Sequence, residues 1–156
     1  MLERDFVWCY DSAMKIYISN DHRGVGLKIY LQQMLVADGY SVADLGVDAG
    51  TETADFPDVA QRVADKLLSE PDARGIVICG FGGGVVIAAN RFRHIRATRC
   101  DRPEQAAADR THNDINVLAF AADDIDIEQA FLCTKAFLET KFDATERRIR
   151  RLEKIS

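Results

Sequence analysis

None of the four cysteines (Cys9, Cys79, Cys100 and Cys133) stands in a C-x-x-C pair, and two of them lie in strand-like apolar runs rather than loops. Their placement argues against a disulfide framework and predicts reduced thiols in a cytoplasmic protein. No apolar run reaches the roughly 20 residues that a membrane span needs. The opening MLERDFVWCYDSA lacks the basic, apolar and small-residue order of a signal peptide. No membrane partner is expected. Excess positive charge is missing too: the formal net charge is -5, which speaks against the broad phosphate neutralisation of nucleic-acid binders. Any anion site must therefore be a local cluster. No Pro/Gly/Ser-rich linker, long repeat or low-complexity stretch divides the 156 residues, so a single domain is expected.

What is present is an alternation. From Met14 the text MKIYISNDH reads as a strand, after a different-looking extension over residues 1–13. Leu27, Leu31, Met34 and Leu35 keep helical spacing up to Gly39, and YSVADLG resumes a strand. FPDVAQRVADKLL reads as a helix with Pro57 in its first turn, and RGIVICG as a strand too apolar to face water. A short helix over about 84–90, a strand at HIRATRC, a helix at PEQAAADRTH, a strand at INVLAF and a helix over about 127–139 follow. This grammar predicts a Rossmann-like three-layer α/β sandwich: five parallel strands with helices on both faces, occupying residues 14–156. The closing ATERRIRRLEKIS reads as a basic amphipathic helix with no strand behind it, expected to reach a partner subunit.

Ligands of such sheets sit outside the carboxyl ends of the strands, which directs attention to Asp21, His22, Cys79 and the glycine run after it. Gly80, Gly82, Gly83 and Gly84 let main-chain N–H groups approach a ligand, with Phe81 among them. Such a nest suits an anion or a developing oxyanion, although a tight strand-to-helix turn needs the same glycines. The run is neither a full G-x-G-x-x-G nor a phosphate loop with its lysine. Cys79 reads equally as a buried small hydrophobe or as a base or nucleophile against the nest. Asp21 and His22 suit a helix cap, and His112 suits a loop. Taken together at one sheet edge, two histidines, an aspartate and a thiol suggest an acid/base site. His94 reads as a surface residue. Arg147, Arg148, Arg150 and Arg151 are a solvated face or a phosphate grip.

These residues resemble the family of ribose-5-phosphate isomerase B and galactose-6-phosphate isomerase. The likeness runs from Met14 to Ile155 through SNDHRGVGLK, GYSVADLG, DFPDVA, RGIVICG, IAANR, IRAT, HNDINVL and RRLEKI. It implies an aldose-ketose isomerase of sugar phosphates that uses no metal or cofactor, built as a homodimer or homotetramer with active sites shared between subunits. It also implies roles: Cys79 as the base, and the loop from Gly80 to Gly84 as the enediolate's oxyanion site. His112 would open the sugar ring, Asp21 and Asn113 would bind the sugar, His22 would lie near the phosphate, and Arg147 and Arg151 would grip it. Four positions depart from the family pattern. Phe81 stands for a threonine, Val86 for a serine, Phe56 for a tyrosine, and Asp123 for a phosphate-binding arginine. An anion at 123 is expected to repel a phosphate, with Arg99 and Arg102 available as replacement charge. A second reading is accordingly a catalytically weakened paralogue that binds a sugar or serves as a partner subunit.

Overall fold

A computed structural model describes residues 14–50 and 53–156, so the extension expected over 1–13 lies outside the described residues. Five strands, β1 (Lys15–Asn20), β2 (Ser41–Asp44), β3 (Arg74–Cys79), β4 (Ala97–Arg99) and β5 (Val117–Ala121), form one parallel sheet in the order β2-β1-β3-β5-β4. Between and after them come α1 (Val25–Ala37), α2 (Phe56–Ser69), α3 (Gly83–Ala89), α4 (Pro103–Asn113), α5 (Ile127–Glu139) and α6 (Glu146–Glu153).

The handedness of parallel crossovers sorts these helices into layers. A right-handed connection that steps one way along the sheet lays its helix on one face, and a step the other way lays it on the opposite face. The steps β1 to β2 and β4 to β5 run one way, while β2 to β3 and β3 to β4 run the other. Accordingly α1 and α4, joined by α5, pack on one face through Leu27, Leu31, Leu35, Ala106, Cys133 and Phe137 against Ile16, Ile18, Ile76, Ile78, Leu118 and Phe120. α2 and α3 cover the other through Val59, Val63, Leu67 and Val85 against Tyr17, Val77, Val117 and Ala119. Both faces of the central strands are thus buried, as their continuous apolar runs require. Cys79, Cys100 and Cys133 are free thiols inside this core.

The strand at HIRATRC is shorter than the stretch read as one, covering Ala97–Arg99 only. Asn116 caps its approach, taking Arg96 N–H on Oδ1 at 2.8 Å and giving Nδ2 to the His94 carbonyl at 2.8 Å, so only Ala97–Arg99 enter the ladder. His94 itself is half-buried, its Nε2 2.8 Å from the Ala64 carbonyl, which corrects the surface reading: the ring ties the start of β4 to α2.

Lys28 is the fold's least expected core residue. On α1 it is 1% exposed, with Nζ 2.8 Å from the Val47 carbonyl, 2.9 Å from Asp44 and 3.1 Å from Asp48. A buried ammonium persists only when its hydrogens are taken, and here they tie the segment after β2 down onto α1. Lys28→Ala should lower stability by about 2–4 kcal/mol, because carboxylate and carbonyl lose their shared donor. Urea unfolding measures it, and a change within experimental error would show the tether to be dispensable.

Candidate active site

The chain goes from β1 to one side and returns to the other side of β1 as β3, so the sheet's topological switch point lies between these strands. There the segment after β1 and the segment after β3 come together. Asp21 N–H donates to the Ile78 carbonyl at 3.0 Å, fixing Asp21 beside the end of β3. Its Oδ1 accepts from the N–H groups of Arg23 (2.9 Å) and Gly24 (3.2 Å), so this oxygen shapes the turn into α1 as the capping reading anticipates. His22 is exposed in that turn.

Cys79 ends β3, 6% exposed, with its side chain toward the α2 and α3 layer. The Gly82 N–H donates to its Sγ at 3.1 Å. Gly82 makes this contact in the left-handed region (φ 77°), a conformation open to glycine and strained for other residues. Phe81 at the tip is 65% exposed, Gly83 is exposed and Gly84 is half-buried. The loop is braced from the next strands: Ala122 N–H donates to the Cys79 carbonyl at 2.9 Å, Asp123 N–H to the Gly80 carbonyl at 3.1 Å, and Arg99 Nη1 to the Phe81 carbonyl at 2.7 Å. A thiol, a turn of main-chain donors and a half-used carboxylate are therefore held on one rigid edge.

His112 is elsewhere. It is not a loop residue but stands in the last turn of α4, and α4 runs back against the strands it connects, ending at the amino edge of the sheet. Cys79 pairs with Ala121 at the far end of β5, so the length of a five-residue strand, roughly 13 Å, separates the two levels. Within one chain the thiol and His112 do not share an edge, which corrects that expectation. Asn113, exposed beside His112, gives Nδ2 to Asp109 at 3.1 Å. A cleft of about 410 Å³ at this amino edge is lined by Asn113, Ile115, Arg93, Arg96 and the chain's last residues.

The turn that presents His112 and Asn113 is built by Asp114, in the left-handed region at φ 47°. Arg110 holds its Oδ1 at 2.8 Å and Arg96 its Oδ2 at 2.9 Å, which stops α4 at that point. On the outer side lies α6. Sequence reasoning treats its arginines as one run, whereas Arg148 alone is buried, paired with Asp143 and with Nη2 2.9 Å from His112 Nδ1. Since a guanidinium has only donors, Nδ1 must accept, and the neutral ring carries its proton on Nε2. Arg147 and Arg151 are exposed on the same helix. The signal for Arg148 was available as spacing: Leu152, half-buried four residues on, lies on the same face of the short helix, whereas Ile149 is exposed.

Two further arginines escaped sequence reasoning or changed role. Arg99 is not spare charge, because it is committed to Asp101 (3.2 Å), Asp124 (3.3 Å) and the Phe81 carbonyl. Asp123 is not a bare anion: it is ion-paired with Arg23, whose Nε lies 3.2 Å from Oδ1. Among the described residues no group of three or more His, Cys, Asp or Glu side chains is placed to hold a metal ion.

An edge-on thiol under main-chain donors at the switch point of a doubly wound sheet places the chain among α/β enzymes. It belongs to the ribose/galactose isomerase family, whose pattern matches residues 16–155. Ribose-5-phosphate isomerase B of Escherichia coli is 39% identical over 129 residues, covering 83% of this chain and 87% of that protein. A putative sugar phosphate isomerase of Bacillus subtilis is 36% identical over the same length, with the same coverage. A ribose 5-phosphate isomerase structure from Thermotoga maritima superposes with a TM-score of 0.86 at 40% identity, covering 91% of this chain and 97% of that one. A Mycoplasma genitalium ribose-5-phosphate isomerase B with bound ribulose-5-phosphate gives 0.86 at 33%, covering 92% and 94%.

The loop geometry gives a paired test. Gly82→Ala should cost about 1–2 kcal/mol in thermal unfolding, since its φ is forced positive and its Cβ would meet Ala121 N at 3.2 Å. Gly83→Ala, with open space at its Cβ and a helical position, should leave the melting temperature near that of the wild type. Equal effects would show that the turn is not what holds the Gly82 N–H on the sulfur.

Proposed function

We propose that this sugar phosphate isomerase interconverts the aldose and ketose forms of a pentose or hexose phosphate through an enediolate, with Cys79 as the base. The observation that carries this reading is the Gly82 N–H on the Cys79 sulfur at 3.1 Å, which puts a proton acceptor and an oxyanion donor in one turn. The thiolate takes the proton from the carbon next to the carbonyl. The electrons of that C–H bond form the carbon–carbon double bond, and the carbonyl oxygen takes the charge. Main-chain N–H groups from Gly80 to Gly84 stabilise it, and they do so without reorganising because the loop is braced from β4 and β5. Return of the proton to the neighbouring carbon, with the hydroxyl proton moving between the two oxygens, completes the exchange. The reaction is redox-neutral within one substrate, so it balances without an external oxidant.

The distance between Cys79 and His112 supports a site completed by a second copy of the chain. In that assembly His112 of the partner subunit, its proton on Nε2, protonates the ring oxygen as the anomeric hydroxyl loses its proton, and the sugar opens. Asn113 and Asp21 bind hydroxyls. Arg147 and Arg151, the exposed arginines of α6, hold the phosphate from the partner's side, which is the sense in which the terminal helix reaches across. His22 stands at the same end. The assembly is a homodimer or a homotetramer of such pairs.

Two measurements test this. Ribose 5-phosphate incubated in deuterated water should gain deuterium at the carbon that exchanges, and Cys79→Ala should slow this by about 10²–10⁴-fold. Exchange that survives the substitution rules out the thiol as base, and no exchange with any pentose or hexose phosphate favours the partner-subunit reading. Cys79→Ala and His112→Asn, each inactive alone, should regain about a quarter of wild-type activity when unfolded and refolded together, as random pairing in a two-fold dimer gives one intact site in half the dimers. A mixture that stays inactive would place the whole site within one chain.

A further inference from the structure

One charged pair at the Cys79 edge has no part in the reaction above. Arg23 follows Asp21 and His22 directly, and its guanidinium is pinned on several sides. One edge is held by Asp123, with Nη2 in an ion pair and Nε 3.2 Å from Oδ1. The Arg23 Cζ lies 5.4 Å from the centre of the Phe81 ring. Underneath, its stem runs so close to Gly80 that a Cβ there would come within 2.9 Å of Arg23 Cδ and 3.0 Å of Nε. Gly80 is thus bare where the arginine crosses the loop.

The remaining edge faces outward. The Arg23 side chain is 48% exposed, and among the described residues Nη1 has no partner. A planar guanidinium with one edge held by a carboxylate keeps the other edge oriented, and that geometry suits a bidentate grip on a tetrahedral oxyanion. Arg99, which also touches the loop, has no such edge left: its Nη1, Nη2 and Nε are all engaged. Asp123 in turn has its charge matched in place, so the carboxylate that the sequence presents as repulsive becomes the support of a cation.

We propose that Arg23 is a substrate-binding residue that takes oxygens of the sugar's phosphate group at the Cys79 edge, with Asp123 as the positioning residue that holds the guanidinium across Gly80. The proposal rests on the isomerase reading and adds to it a contact from the chain that supplies the base. The phosphate then lies between Arg23 of one subunit and the arginines of α6 of the other. Phe81 gains a role as the flat support of the guanidinium, at the position where the resemblance leads one to expect a hydroxyl.

Calorimetric titration of the full chain with ribose 5-phosphate, inorganic phosphate and ribose separates the outcomes. Arg23→Gln should weaken binding of both phosphate compounds by about tenfold or more, the loss of charge-assisted hydrogen bonds, and leave ribose unaffected. Asp123→Asn should weaken them by a smaller factor, since the cation stays but its orientation loosens, and in turnover the Arg23→Gln loss should fall on KM more than on kcat. Should Arg23→Gln fail to fold, Arg23→Lys, which keeps the charge but not the fork, should show an intermediate loss. Unchanged phosphate affinity in these variants overturns the proposal while leaving the isomerase intact, and so does an equal loss for ribose, which would make Arg23 a hydroxyl reader. A wild-type protein that binds neither phosphate compound overturns the isomerase reading together with this role.

Discussion

A helix that joins two parallel strands must run back against them, and most of what is distinctive here depends on that constraint. It sends α4 from the carboxyl edge of the sheet, where β4 ends, to the amino edge, where β5 begins. Residues in its last turn are thereby carried a strand's length from residues at the ends of β1 and β3. The chain therefore presents two groups of side chains, a thiol with main-chain donors at one edge and a histidine with exposed arginines at the other. Neither group alone holds all the residues that the proposed ring opening and proton transfer use. The sheet's own geometry thus makes association a requirement of the proposed reaction rather than an addition to it.

The same constraint explains what the sequence made legible. Continuous apolar runs identified β1, β3 and β5, which are buried on both faces, and the alternation with helices located the edge strands β2 and β4. The residues after β1 and β3 could be placed together, since the carboxyl ends of strands that flank a switch point converge. The helix at PEQAAADRTH was legible as far as His112, but the histidine was assigned to the wrong edge because THNDIN also looks like a loop, and the left-handed Asp114 that ends α4 is held by Arg96 and Arg110, partners far apart or hidden in the helix pattern. The end of a helix is written in its tertiary partners here, not in a glycine. His94 was read as exposed for a similar reason: its partner is a carbonyl on α2, thirty residues away.

Charge was the least legible property. Asp123 read alone suggests repulsion, and Arg99 read alone suggests compensation. In three dimensions the assignments exchange: Asp123 is matched by Arg23, a hundred residues earlier in the chain, and Arg99 is spent on two aspartates and a carbonyl. Ion pairs between distant elements carry no periodicity and no fixed spacing, so, unlike the i,i+4 pairs of a single helix, they leave no pattern along the sequence. An apparently misplaced charge at a site is nonetheless a usable signal, because burial or crowding of an unmatched ion is costly and a partner has to exist.

The contact between Arg148 and His112 joins two events that are usually separate. Arg148 docks α6 onto the body of the protein, and the same guanidinium dictates which imidazole nitrogen bears the proton. Arg148 follows all five strands in the chain and belongs to none of the layers that cover the sheet. The sheet, the thiol and the glycine turn are held by contacts of their own, whereas the tautomer of the histidine is fixed only when α6 is docked. Loosening α6 would therefore free the choice of imidazole nitrogen before it disturbs the sheet, so one contact serves both as the latch of a helix and as the setting of a ring.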